Sequence, residues 1–349
     1  MMSRFEEFIV MSEAAEKPVT PERLMQMAWG YAPPLMIGAA VSLGLFDRLD
    51  AGPKSAGELA KEAGASERGV RILMNGLAGV GLVAKDADGR YALTPESSAF
   101  LVSSKPSFQG GLFRHVDTQL VPRWLKLTET VRIGKADLAV NEQKPGSEFF
   151  QRFVEDIFPM SFPAASALAD ALKVGDAKGP VRVLDLAAGS GVWGIALAKK
   201  SPQVRVTAVD WPDVIPVTKR VAARHGVADR FTFVEGDIQT VDFGKDHDVA
   251  TLGHILHSEG EMRSRDLLMR TGQALKRGGT IAIGEFLANE DRSGPPNAMI
   301  FAVNMLVNTT EGDTFTFGEI SCWLREAHFG NIRTLDAPGP SPMILATKE

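Results

Sequence analysis

The chain has 349 residues, of which 44% are hydrophobic and 23% charged, and its formal net charge is −5. That length suits two domains at roughly 100–200 residues each, and so ordinary a composition excludes wholesale disorder. Net acidity argues against a nucleic-acid partner, while a single cysteine, Cys322, excludes an internal disulfide framework or a cysteine-rich metal centre and fits a reducing compartment.

Residues 1–20 read as a flexible polar lead. They carry acids and lack a long apolar core, which does not fit a secretory signal. The longest apolar stretch, around 35–45, falls short of the roughly 20 residues that a membrane span needs. A cytoplasmic protein without a membrane partner is expected. Residues 21–107 form a first domain. The pattern over 21–49 is helical with a break at Pro33-Pro34, and Leu35, Ala39, Leu43 and Phe46 give an apolar stripe. A short helix is expected at 54–60. A second is expected at 66–80, opened by a serine cap with an acid next to it. Short strands at 82–85 and 91–93 flank a turn, which completes a winged-helix arrangement. Residues 54–90 hold six Lys/Arg against five Asp/Glu, a balance of +1 that is weak for DNA binding. Ile72, Leu73, Met74, Leu77 and Val80 instead predict a packing or dimerisation surface.

Residues 108–178 read as a helical linker punctuated by Phe113, Trp124, Phe149, Phe150, Phe153, Phe158 and Phe162. These aromatic residues are divided between core and the roof of a site. From 179 to 349 the rhythm changes. Strands at 181–186, 204–209, 231–235, 249–253 and 280–285 alternate with helices at 191–200, 214–225 and 264–275. A helix at 316–328, a strand at 332–336, a turn at 337–340 and a strand at 343–347 close the chain. The alternation predicts an α/β fold: a Rossmann-like doubly wound sheet with an antiparallel terminal strand, behind a mainly α winged-helix domain.

Between the first strand and helix of that sheet lies Gly189-x-Gly191-x-x-Gly194, and Asp210 ends the next strand at the spacing of a ribose-binding carboxylate. Glycines alone suit a dinucleotide and S-adenosylmethionine (SAM) equally. Three features favour SAM. Asp185 stands four residues before Gly189, where a carboxylate suits an ammonium and a sulfonium better than a pyrophosphate. Glu235-Gly-Asp237-Ile238 ends the third strand with an acid able to accept from an adenine amine. The chain also closes on a hairpin strand. The structural alternative for Asp185 is that it links nearby backbone.

The segment Asp185-Leu-Ala-Ala-Gly-Ser-Gly191 resembles motif I of class I SAM-dependent methyltransferases. Together with Leu43-Gly-Leu-Phe-Asp-Arg-Leu49, residues 20–349 resemble the dimerising plant-type O-methyltransferases and their bacterial relatives. The resemblance implies a homodimer whose N-terminal arm reaches its partner, with SAM as cofactor. It implies that Asp185, Gly189, Gly191 and Asp210 hold that cofactor, that Asp237 and Ile238 flank the adenine, and that Trp211 packs on it.

Leu252-Gly-His254-Ile-Leu-His257-Ser-Glu259 follows the fourth strand, at a sheet end where α/β folds bind ligands. A phenol, with a pKa of about 10, is a weak nucleophile until its proton leaves, and histidine is the natural acceptor at neutral pH. The resemblance places His257 at the family's catalytic histidine and Glu285 at the carboxylate that orients it. Three departures accompany it. Ser258 replaces an acid, Thr316-Phe317 stands where the family has a second flanking carboxylate and neither can serve as one, and Gly253 replaces a lysine-like cofactor contact. By family analogy Trp124, Phe153, Met160, His254, Met299 and Asn304 line the substrate pocket, with Phe301 and Met305 as further candidates. His254 and His257, with His247 nearby and no defined carboxylate, are a poor metal signal, and no metal is expected. The expected function is methyl transfer from SAM to a hydroxyl of a small aromatic or cyclic metabolite. The departures leave room for a C-methyltransferase or another SAM-dependent reaction. The winged helix leaves room for a SAM-sensing regulator.

Overall fold

A computed structural model describes residues 19–339 and 341–349. The expected flexible lead falls outside the described residues except for its last two positions. The first domain opens with helices Glu22–Ala28, Ala32–Ser42 and Leu45–Leu49. Pro33 and Pro34 do not break a helix; they sit in the first turn of the second one, where a missing N–H goes unneeded. The inward face of that helix is Ile37, Gly38 and Ala40, whereas Ala39 and Leu43 of the expected stripe are exposed. The segment is apolar all round, so periodicity could not choose a face.

Helices Ala56–Ala63 and Glu67–Gly79 follow, each capped by a serine. Ser55 forms a reciprocal capping box with Glu58, and Ser66 Oγ accepts from Gly69 N. Strands β1 (Val83–Lys85) and β2 (Tyr91–Leu93) pair antiparallel as the wing. Phe46, Leu59, Met74, Leu77, Val83 and Tyr91 form one buried cluster. Of the five apolar residues expected on the second helix, Ile72 and Val80 are exposed.

The linker is helical, in short pieces at Gly110–His115, Val116–Leu120 and Val121–Trp124 and then at Leu127–Ile133, Gln143–Phe153 and Phe158–Ala171. Beyond it lie β3 (Val181–Leu186), β4 (Val204–Asp210), β5 (Phe231–Glu235), β6 (His247–Gly253), β7 (Leu275–Gly284), β8 (Phe329–Leu335) and β9 (Met343–Lys348). They form one sheet in the order β5-β4-β3-β6-β7-β9-β8. The first five run parallel, and β9 lies antiparallel between β7 and β8. Successive side chains of β3 point to opposite faces, so Val183 joins one core with Ile195 and Leu197, while Leu184 joins the other with Leu267 and Leu324. Strand order reverses between β3 and β6, and the carboxyl ends there open onto a crevice, the usual ligand position in such sheets. No helix among the described residues is long and apolar enough to cross a membrane.

Candidate functional site

The glycine loop links β3 to helix Val192–Lys200. Gly191 has φ +76°, and a Cβ there would lie 2.9 Å from Thr218 Cγ2, so both conformation and space call for glycine. A Cβ on Gly194 would meet Val206 at 2.7 Å and Asp185 Oδ2 at 3.0 Å, which shows how closely the helix sits on the sheet. Asp185 is wholly buried. Its Oδ1 accepts from Thr251 Oγ1 at 2.7 Å and its Oδ2 from Gly194 N at 3.0 Å. It does not reach the cavity wall, so in this arrangement it ties the loop to the sheet, the backbone-linking alternative. Burial raises its pKa to about 7 against those two hydrogen bonds. Asp210 does face the cavity. It accepts from Gly189 N and Trp211 N, both at 2.7 Å, and burial raises its pKa to about 6.

The crevice is a cavity of about 650 Å³. The ends of β4 and β5 bring Asp210, Trp211, Asp237 and Ile238 to its wall beside Gly189. Glycine-loop backbone, two carboxylates and an indole are the donor and acceptor set that an adenosyl group needs, and the residues present fit SAM. Glu259 also lies on this wall and was missed in the sequence. It is buried and accepts from Gln239 Nε2 at 2.8 Å and Arg263 Nε at 2.6 Å. Its position two residues past His257 was the available signal.

The ends of β6 and β7 bring His257 and Glu285 together. His257 Nδ1 lies 2.6 Å from Glu285 Oε2, and both residues are buried. Glu285 Oε1 accepts from Leu256 N at 2.8 Å and His257 N at 3.3 Å. The carboxylate thus fixes the ring and the turn that carries it. Burial opposes its ionisation, but His257, His254 and these N–H groups hold its pKa below the usual value. Gly260, at φ +75° and ψ 171°, kinks helix Leu256–Ala274 just after this turn, beside Glu311.

The three departures have local reasons. A Cβ on Gly253 would fall 1.7 Å from Trp193 Nε1, so the indole occupies the space a longer side chain would need. Ser258 Oγ donates to Ile255 O at 2.9 Å and closes the turn. Thr316 caps helix Phe317–Glu326. The segment that touches His257 is instead around Gly312 and Asp313, whose N–H donates to His257 O at 3.0 Å. Among the described residues Glu285 is the only carboxylate hydrogen-bonded to the His257 ring.

Of the expected substrate wall, Trp124, Phe153, Met160, His254 and Asn304 line the cavity. Trp124 Nε1 donates to Asn304 Oδ1 at 2.9 Å, joining linker to helix Pro296–Asn308. Met299 does not reach the wall: on that helix Asn297, Ile300, Phe301, Asn304 and Met305 do, and Met299 falls on another face. His115, which the sequence did not single out, is buried on the wall and stacks on Phe153 with ring centroids 4.0 Å apart. Burial lowers its pKa to about 4.

His254, His257 and Glu285 each offer an atom within 4.8 Å of the others, as a metal site would require. Yet the Glu285 oxygens are already engaged with His257 Nδ1 and two backbone N–H groups. His247 begins β6, at the opposite end of the strand from His254, and bonds Phe243 O at 2.9 Å.

Comparison with known proteins matches residues 25–103 to an O-methyltransferase dimerisation domain and residues 124–330 to an O-methyltransferase domain. The chain is 32% identical over 336 residues to a 3-hydroxy-5-methyl-1-naphthoate 3-O-methyltransferase of Streptomyces sahachiroi, covering 94% of this chain and 95% of that one. Among solved structures, a Nostoc punctiforme protein described as an O-methyltransferase superposes with a TM-score of 0.87 at 29% identity, over 95% of this chain and 100% of that one. PigF of Serratia, solved with S-adenosylhomocysteine (SAH), gives 0.81 at 26% identity over 95% and 100%.

Proposed function

The chain belongs to the O-methyltransferase family, and from that premise we propose that His257, oriented by Glu285, is the general base for methylation of a hydroxyl on a small aromatic metabolite. SAM is the cofactor, and when bound it supplies an electrophilic methyl group on a sulfonium centre. The observation that carries the reading is the buried 2.6 Å contact between His257 Nδ1 and Glu285 Oε2, on a ring that also lines the cavity. With Nδ1–H donating to the carboxylate, Nε2 carries the lone pair and receives the hydroxyl proton. The buried carboxylate then stabilises the imidazolium. Asp210, Asp237 and the loop at Gly189 and Gly191 would hold the adenosyl part. Phe301, edge-on to His257 at 4.8 Å, and Phe286, stacked on Phe301 at 4.2 Å, keep water from the pair.

An aromatic acceptor is favoured by the walls: Trp124, Phe149, Phe153, Phe286 and Phe301 surround a cavity with few charges. The Streptomyces sahachiroi relative, by its name, acts on a hydroxynaphthoate. The working unit in this proposal is a homodimer. Helix Glu22–Ala28 buries no residue within one chain, and Leu24, Met25, Met27, Trp29 and Tyr31 are exposed, an apolar surface suited to a second copy. The test is His257→Ala. General-base assistance is worth about 10²–10⁴ in rate, so kcat should fall by that factor while calorimetric SAM affinity is retained. Unchanged kcat on the same substrate would sink the assignment.

A further inference from the structure

The cavity holds a second imidazole close to the first, which base catalysis does not use. His254 stands directly after β6 in the left-handed region, φ +63°, uncommon for a residue with a side chain. Its N–H donates to Gly284 O at 2.8 Å, so the strained backbone is locked to β7. Its ring lies between Trp193, at 6.4 Å between centroids, and Phe286, at 5.4 Å. Gly253 makes this possible, because any Cβ there would displace Trp193.

The two ring nitrogens of His254 differ. Nδ1 is enclosed and has no hydrogen-bond partner. A buried orphan N–H is rarer in proteins than a buried orphan acceptor, so the proton belongs on Nε2. His254 lines the cavity, and Nε2 is its polar edge there. Burial lowers the pKa to about 4, which keeps the ring neutral at ordinary pH. One ring nitrogen of His254 and one of His257 lie within 4.8 Å of each other. The two rings line one cavity with centroids 6.1 Å apart, so an N–H donor stands beside the imidazole that takes the proton.

Resting on the reading of His257 as base, we infer that His254 is a specificity-determining residue whose Nε2–H donates to a second oxygen on the ring that carries the methylated hydroxyl. The preferred substrates are then arenes with two oxygens ortho or meta to one another. With N–H···O bonds of about 2.9 Å, two oxygens so placed span the gap between the two rings. Oxygens on different rings of a fused bicycle, outside the adjacent peri pair, are too far apart. A lone hydroxyl on His257 leaves the His254 donor without an acceptor.

The experiment loads the enzyme with SAH and titrates it calorimetrically with naphthol and with three dihydroxynaphthalenes. Their second hydroxyl is ortho, meta or on the far ring away from the peri position. The ortho or meta isomer should bind about tenfold tighter than naphthol or the far-ring isomer, the scale of one satisfied buried donor. In His254→Asn, which tolerates the left-handed backbone but has a shorter reach, that ratio should collapse to near one. Equal affinity for all four compounds in the wild type overturns the inference without any variant. So does a preference that survives in His254→Asn. Methyl transfer from SAM to the favoured isomer, in the wild type and in His257→Ala, reports separately on the base. Equal rates in the two beside selective binding would sink the role of His257 and leave that of His254 standing.

Discussion

Asp185, Asp210 and Glu285 are all buried carboxylates, yet their surroundings set them apart. Glu285 lies against an imidazole and two N–H donors and its pKa falls, whereas Asp185 has two neutral donors and its pKa rises to about 7. In an unfolded chain an aspartate titrates near 3.9. The folded protein thus holds the Asp185 proton more tightly. The stability this adds is full below about pH 4 and is lost as pH climbs to about 7. Asp185→Asn removes the buried charge, keeps an acceptor for Gly194 N and offers Thr251 Oγ1 a donor. It should stabilise the protein by about 1–3 kcal/mol at pH 8, since each pKa unit corresponds to about 1.4 kcal/mol. At pH 5 it should change little. Urea unfolding at both values checks this, and an equal effect at the two would count against it.

At the scale of elements, the end of β6 and the start of helix Val192–Lys200 share one space. Trp193 fills what a side chain at position 253 would take, and the His254 ring lies 6.4 Å from the indole, centroid to centroid. Gly253→Ala should therefore destabilise by about 1–3 kcal/mol, the usual range for overpacking a filled core. Combined with Trp193→Ala, the loss should be less than the sum of the single losses by 0.5–3 kcal/mol. Denaturation of all four members of the cycle measures the coupling, and strict additivity would mean that the two positions do not compete.

At the scale of the molecule, the first helix has seven residues and none of them is buried. Isolated helices that short are marginal in water, so this one needs a partner surface. Trp29→Glu combined with Met27→Glu places charge in the exposed apolar patch. Light scattering after size exclusion should show a dimer for the wild type and a monomer for the variant. A wild-type monomer at micromolar concentration would remove the proposed dimer.

The order of elements was legible in the amino-acid sequence because it rests on local periodicity, on caps such as Ser55 and Ser66 and on the spacing of the glycine loop. So was the positioning of His257 and Glu285 at strand ends, where topology gathers a site. Which face of an element turns inward was decided by packing alone. Helix Ala32–Ser42, apolar on every side, gave no local hint that Ala40 would be buried and Leu43 exposed. Met299 missed the wall that Asn304 reached, because two residues on one helix differ only by an angle that neighbouring elements set. Asp185 was drawn inward by Thr251 and Gly194 N, partners distant in sequence or folded back upon it. His115 and Glu259 joined the cavity for the same reason, since their neighbours exist only once the chain has closed on itself.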